Sequence, residues 1–148
     1  VDDYISGGSP SIQLGSGDYL TFFHSVHFPF AHLHRSDDPT EHAKSATRWY
    51  SLGCLTFEGQ PPFRVRRVSP KPIEYPGMFD VPNTRVTRDD RVVFPGGVHV
   101  EGSRIYVAIG ENDSASKILV FDLTQLLDSL VLARSGHCKD VHDRIVID

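Results

Sequence analysis

The chain has 148 residues and a mass of 16.5 kDa, with 15 Lys and Arg against 19 Asp and Glu, a net charge of −4. Hydrophobic residues make up 39% and charged residues 23%, enough apolar material for the core of one globular domain. No apolar run approaches the roughly 20 residues that span a bilayer, and mild acidity argues against nucleic-acid and anionic-membrane partners, which need a clustered basic face.

The chain opens Val1-Asp2-Asp3, with neither Met nor leader, and reads as beginning in mid-fold. Compartment therefore stays open, with a cytoplasmic setting as the default expectation. Gly7-Gly8-Ser9-Pro10, Gly15-Ser16-Gly17, Pro61-Pro62 and Gly96-Gly97 punctuate the chain at short intervals, as turns and close backbone approaches require. Between these breaks, stretches near 11–14, 18–26, 48–57 and 63–68 are rich in β-branched and aromatic residues and predict four strands. The stretch 28–46 is polar, rich in His and Asp and without a period, which predicts a long excursion between strands.

The second half repeats the pattern. Arg91 to Val100 predicts a strand interrupted at Pro95-Gly96-Gly97, Glu101-Gly102 a tight turn, and Ser103 to Ile109 and Lys117 to Phe121 two further strands around a turn at 111–114. Leu123 to Ala133 predicts a short helix, capped by Thr124, with Leu126, Leu127, Leu130 and Val131 as its apolar stripe. In the tail after Ser135, Ile145-Val146-Ile147 could pair with a sheet edge. The expected fold is all-β: antiparallel four-stranded meanders forming about two blades of a β-propeller, with a short C-terminal helix. The chain is expected to be a single partial domain, with blade-like units at 1–72 and 73–134 and a tail at 135–148.

Several clusters admit a chemical and a structural reading. His24, His27, His32, His34 and His42 crowd one region, and His137, Cys138, His142 and Asp143 crowd the tail. No fixed ligand spacing recurs in either, so solvated loops are expected and no metal. Cys54 and Cys138 are too few for a disulfide framework, and a single bridge stays open. Arg64, Arg66 and Arg67 with Lys71 read as a solvated, protected sheet edge. Trp49, Tyr50, Tyr19 and Tyr106 could stack on sugars or pack between sheets. Asp113 can accept sugar hydroxyls or serve a hairpin turn. Glu111 can be an acid, a base or a solvated neighbour.

The run Gly7-Gly8-Ser9-Pro10-Ser11-Ile12-Gln13-Leu14 followed by Gly17-Asp18-Tyr19-Leu20-Thr21-Phe22-Phe23-His24 resembles the Gly-Gly-Thr-Pro-Pro … Gly-Trp-Leu-Leu-Ile-Tyr-His segment of glycoside hydrolase family 130. Val92-Val93-Phe94-Pro95-Gly96-Gly97-Val98, with Ile105 to Asp113, resembles that family's Val-Val-Phe-Pro-Cys-Gly … Tyr-Tyr-Gly-Ala-Ala-Asp run. The resemblance covers about 5–130, apart from 28–46, and its strength lies in the order and spacing of the motifs.

It implies a five-bladed β-propeller of the β-mannoside phosphorylase and hydrolase type. An oligosaccharide or glycoside would be the ligand, and the binding residues would be His24, Asp113, Glu111, Gly8 and Pro10. No cofactor is implied. Inorganic phosphate is disfavoured because Tyr4 stands where the phosphorylases carry a Lys, and a phenol offers no opposing charge. The family's general-acid Asp belongs to a blade not represented in this chain, so catalysis by the chain alone is not expected. The alternative is a non-catalytic module that assembles through exposed strand edges, as a homo-oligomer or with a missing propeller half.

Overall fold

A computed structural model describes residues 4–82 and 89–133. Every pairing between its strands is antiparallel, and they form two sheets. The architecture is all-β with a short helix toward the C-terminus, as the alternating runs and turn signals imply.

The first sheet starts with a split strand: β1 (Tyr4–Ser6) and β2 (Ile12–Gln13) both pair with β3 (Tyr19–His27). The break follows from Gly7-Gly8-Ser9-Pro10, since Pro lacks the N–H a ladder needs. Ser9 clasps the break to β3: its N–H donates to the Phe22 carbonyl at 3.0 Å and its hydroxyl accepts from the Phe22 N–H at 3.0 Å. β3 then pairs with β4 (Trp49–Phe57) over nine residues, from Tyr19 opposite Phe57 to His27 opposite Trp49. β5 (Val65–Val68) follows on β4. The second sheet is a meander of three longer strands, β6 (Val93–Glu101), β7 (Arg104–Glu111) and β8 (Ala115–Asp122).

Period-2 alternation decides which side of each strand meets the other sheet. In β3 the inward set is Leu20, Phe22, His24 and Val26; in β7 it is Ile105, Val107, Ile109 and Glu111. With Leu52, Cys54 and Val93 the apolar members other than Val26 make one core between the sheets, and each fully buried Leu, Ile, Val or Phe contributes about 1.5–3 kcal/mol. The Cys54 thiol is sealed in this core, and burial pushes its pKa up to about 12, so it is an inert packing group.

Three local features depart from expectation. The strand expected from residue 63 begins at Val65, because Phe63 sits at φ 56° in the turn after Pro61-Pro62. The excursion at 28–46 carries a 3₁₀ turn at Ala31–Arg35 and a helix α1 (Pro39–Lys44), whose first turn is capped by Asp38 accepting from the Thr40 N–H at 2.8 Å. The C-terminal helix α2 (Leu123–Asp128) is shorter than expected and is capped by Asp122, not Thr124; the Asp122 carboxylate accepts from the Gln125 N–H at 2.9 Å. Its expected last turn instead becomes a short strand, β9 (Val131–Leu132), which returns to the first sheet and pairs with β5. Leu126 and Leu130 go into the core, whereas Val131 and Leu132 are exposed at the new edge. Among the described residues no helix is long and apolar enough to cross a membrane.

Candidate functional site

His24 lies on the inward side of β3 at the seam between the sheets. Its ring meets Phe94 of β6 edge-on, with centroids 4.5 Å apart, and leans on Tyr50 of β4 at 5.5 Å; Tyr50 and Phe94 meet at 5.2 Å. The residue is 6% exposed, and its Nδ1 atom is buried without a hydrogen-bond partner. An unsatisfied buried polar atom costs about 1–3 kcal/mol. Burial lowers the His24 pKa below its ordinary 6.5, so the ring is neutral at pH 7 and carries one donor and one acceptor.

Gly8 borders the same seam. A Cβ there would run into the Pro95 ring and lie 2.8 Å from the Phe22 carbonyl oxygen, so glycine is what lets the broken first strand pass between β3 and β6. Pro10 follows on the surface. Gly8 and His24 are therefore neighbours through Phe22 and the β6 residues Phe94 and Pro95. Tyr4 lies half-exposed at the far end of β1, with its ring 6.4 Å from Phe28.

The two candidate carboxylates at the end of β7 have different fates. Asn112 and Asp113 both take left-handed backbone, φ 50° and 52°, in the turn that joins β7 to β8. The Ser114 N–H donates to the Glu111 carbonyl at 3.0 Å to close it, and two successive positive φ values are the signature of a type I′ hairpin turn. Asn112 anchors this turn: its Oδ1 accepts from the Val92 N–H at 2.8 Å and its Nδ2 donates to the Val81 carbonyl at 2.7 Å. Asp113 stands exposed at the tip. No hydrogen bond or ion pair links it to His24 among the described residues. It does share the end of the second sheet with Phe94, since Phe94 pairs with Gly110 and Asn112 grips Val92.

Glu111, expected as a sugar ligand, is instead 0% exposed. Lys117 Nζ donates to its Oε1 at 2.6 Å and to the Gly77 carbonyl at 2.7 Å, and the Tyr75 hydroxyl donates to its other oxygen. Burial alone would raise the Glu111 pKa. The bonds from Lys117, Tyr75 and the Phe79 N–H outweigh burial and hold the pKa below the usual carboxylate value. The Tyr75 phenol is pushed up by burial and by the adjacent carboxylate. Chemically this is a closed ion pair that ties the segment around 75–79 to the second sheet. Sequence reasoning missed Lys117 and Tyr75 as its partners. The signal was present: Glu111 has the parity of Ile105, Val107 and Ile109, and Lys117 that of Leu119 and Phe121, so both charges occupy inward positions.

The remaining candidates are scattered. Arg64, Arg66 and Arg67 are exposed, with Arg66 paired to Glu58 at 3.4 Å and Arg67 Nη1 reaching the Leu127 carbonyl at 3.5 Å. Lys71 is likewise exposed. Trp49 stacks under Arg91, 4.6 Å from guanidinium carbon to ring centroid, and donates from its indole to the Asp89 carbonyl. Tyr19 stacks on Phe57 at 5.5 Å. Tyr106 stands 6.3 Å from His99 on the outer side of the second sheet. His34 and His42 stack at 5.0 Å, yet among the described residues no three His, Cys, Asp or Glu gather to hold a metal ion. His137, Cys138, His142 and Ile145-Val146-Ile147 lie outside the described residues.

Two surface grooves of about 490 Å³ each run along β8 rather than at His24. One is lined by Gly96, Ala108, Gly110, Ser116 and Ile118, the other by Glu74, Tyr75, Pro76, Leu119 and Phe121, with Lys117 bordering both. No family model matches the chain, and no curated protein or solved structure matches it.

Proposed function

We propose that this chain is a carbohydrate-binding unit similar to the β-mannoside phosphorylases and hydrolases of glycoside hydrolase family 130, with its two sheets as two blades of a β-propeller. One observation carries the reading: the unpartnered Nδ1 of His24, buried between Phe94 and Tyr50 beside Gly8. A sugar presents C–H faces that pack on aromatic rings and hydroxyls that satisfy a lone imidazole nitrogen. Phe94 is 40% exposed and offers the ring face, while Asp113, at the same end of the second sheet, offers a free carboxylate to hydroxyls. Gly8 and Pro10 shape the adjoining backbone. Glu111 enters as a support, because Lys117 and Tyr75 occupy its oxygens. His24 is not a carboxylic acid, and Asp113 stands at an exposed turn tip with no second carboxylate placed against a shared ligand, whereas glycoside cleavage uses a flanking pair of carboxyl groups, so the proposed role is binding, not turnover.

Titration calorimetry with mannose and β-mannobiose tests this on wild type, His24→Phe and Asp113→Ala. His24→Phe keeps the aromatic packing and removes the nitrogen. Its expected effect is a loss of about 10-fold in affinity, the worth of one buried hydrogen bond. Wild type that binds neither sugar, or equal affinity in His24→Phe, refutes the reading. A two-fold change or less in Asp113→Ala removes Asp113 from it.

A second reading is favoured by a separate observation: an assembly module joined through open strand edges. The outer side of the second sheet exposes Ile118 at 68% and Val120 at 53%, and among the described residues β8 pairs on one side only. A bare apolar edge of this kind invites another strand.

A further inference from the structure

We infer that β8 is a self-association edge, on which a second copy of this chain pairs its own β8 antiparallel about a two-fold axis beside Leu119. The inference rests on the assembly reading and names the edge and the partner.

β8 runs eight residues, pairs with β7 in unbroken register from Ala115 to Asp122, and contains neither bulge nor proline. Its outward side chains are Ser116, Ile118, Val120 and Asp122. Natural edges are usually blunted by an exposed charge, an unpaired inward charge, a proline, a bulge or a covering segment. Here the one lysine, Lys117, points inward and is held by Glu111 and Gly77. The first sheet shows the contrast, because β5 carries three arginines in and beside it and is covered by β9.

The sequence of β8 is complementary to itself in one antiparallel register. A two-fold axis normal to the sheet keeps each side chain on its own face, so residues opposite each other must share parity. With Leu119 opposite its own copy, Ile118 faces Val120, Ser116 faces Asp122, and Lys117 faces Phe121. Each pair then occurs twice by symmetry. The β-branched pair forms the centre, a hydroxyl can donate to a carboxylate at each end, and no like charges are opposed. The groove along the inner side of β8, lined by Tyr75, Pro76, Leu119 and Phe121, offers space for inward side chains of an added strand. The product is a continuous six-stranded sheet across two chains.

Light scattering after size exclusion, repeated over a range of concentrations, tests this on wild type and on Ile118→Lys/Val120→Lys. Both substitutions are on exposed positions, and circular dichroism checks that the fold is kept. The wild type is expected to dimerise. The double variant opposes lysines across the axis twice and should associate about 100-fold more weakly. In a Cys138→Ser background, mixing Ile118→Cys with Val120→Cys should give a disulfide-linked heterodimer on oxidation, because opposed antiparallel residues have Cα atoms about 4.5–5.5 Å apart.

A dimer that keeps its affinity in the lysine variant and forms no such cross-link refutes the β8 edge while leaving assembly through another surface. A monomer at every concentration refutes both. In that monomer, exchange protection of those β8 amides that point away from β7, lost when residues 134–148 are removed, would assign the edge to the chain's own C-terminal segment.

Discussion

The two sheets are built from the same alternating sequence pattern and reach opposite solutions. The first has short or interrupted strands at one side, a split β1–β2, and a four-residue β5 that β9 covers from the far end of the chain. Its inward positions hold apolar residues, Thr56 and one neutral histidine, and the basic residues stay on its rim. The second has three strands of eight or nine residues, β6 with a bulge between Pro95 and Gly97, a β8 edge that has no partner among the described residues, and Ile118 and Val120 exposed on its outer side. It nevertheless carries a charged pair in its interior. Strand length and edge protection are thus separate properties: the sheet whose strands are all long is the one whose last strand, β8, has no further partner among the described residues. Where charge sits is separate again, because an inward Glu is tolerated once an inward Lys is two strand positions past the turn.

The largest test of this contrast removes the charge partner from the second sheet. Lys117→Met leaves the Glu111 carboxylate buried and supported only by Tyr75 and the Phe79 N–H. Breaking a buried pair on one side costs about 3–5 kcal/mol, and urea denaturation should show a loss of that size. The double variant Glu111→Leu/Lys117→Met should recover most of it. Equal losses in the single and double variants would mean that Lys117 acts through packing on the Tyr75 ring, 5.5 Å away, and not through charge.

A smaller effect is expected at the seam, where the sheets depend on each other. Gly8→Ala places a methyl against Pro95 of the second sheet and the Phe22 carbonyl of the first. Overpacking of this kind costs about 1–3 kcal/mol, and a lowered denaturation midpoint with an unchanged slope is the expected outcome. A neutral Gly8→Ala would show that β1 can lift away from the seam without disturbing the core.

The smallest effect separates the titrating groups of the two sheets. The folded-state pKa of His24 is depressed below 6.5, so the unfolded chain binds more protons in that range and stability falls as the pH drops below about 6.5. Glu111 has a depressed pKa as well, but its contribution is kept above the unfolded carboxylate value and is lost only as the pH falls through the lower folded one. Between pH 7.5 and 5.5 the slope of stability should therefore flatten in His24→Phe and persist in Glu111→Gln. An unchanged slope in His24→Phe would mean that His24 titrates alike in the folded and unfolded chains.

Much of the fold was legible in local pattern. The strands near 18–26, 48–57 and 103–109 follow from β-branched and aromatic runs between glycine and proline breaks, and the turn at 111–114 from Asn-Asp chemistry. The end of α2 was not legible, because Leu130-Val131-Leu132 suits a helical stripe as well as a strand, and only the nearby edge of β5 decides between them. The candidate site divides along the same line. His24 and Gly8 were recognisable as unusual residues at a break and on an aromatic strand. Phe94 lies 70 residues beyond His24 and Pro95 lies 87 beyond Gly8, and no local pattern reports such a distance.

By itself the sequence determined which side of each strand a residue occupies and where the chain turns, because backbone sterics and side-chain alternation act over a few residues. The inward parity of Glu111 and Lys117 became readable only with the strand limits of β7 and β8. Only the tertiary structure decided that these two charges meet each other, that β9 closes the first sheet, and that among the described residues His24 Nδ1 and the β8 edge meet no partner. Each of those outcomes depends on which distant segment packs alongside, and that choice belongs to the burial of the whole core between the sheets.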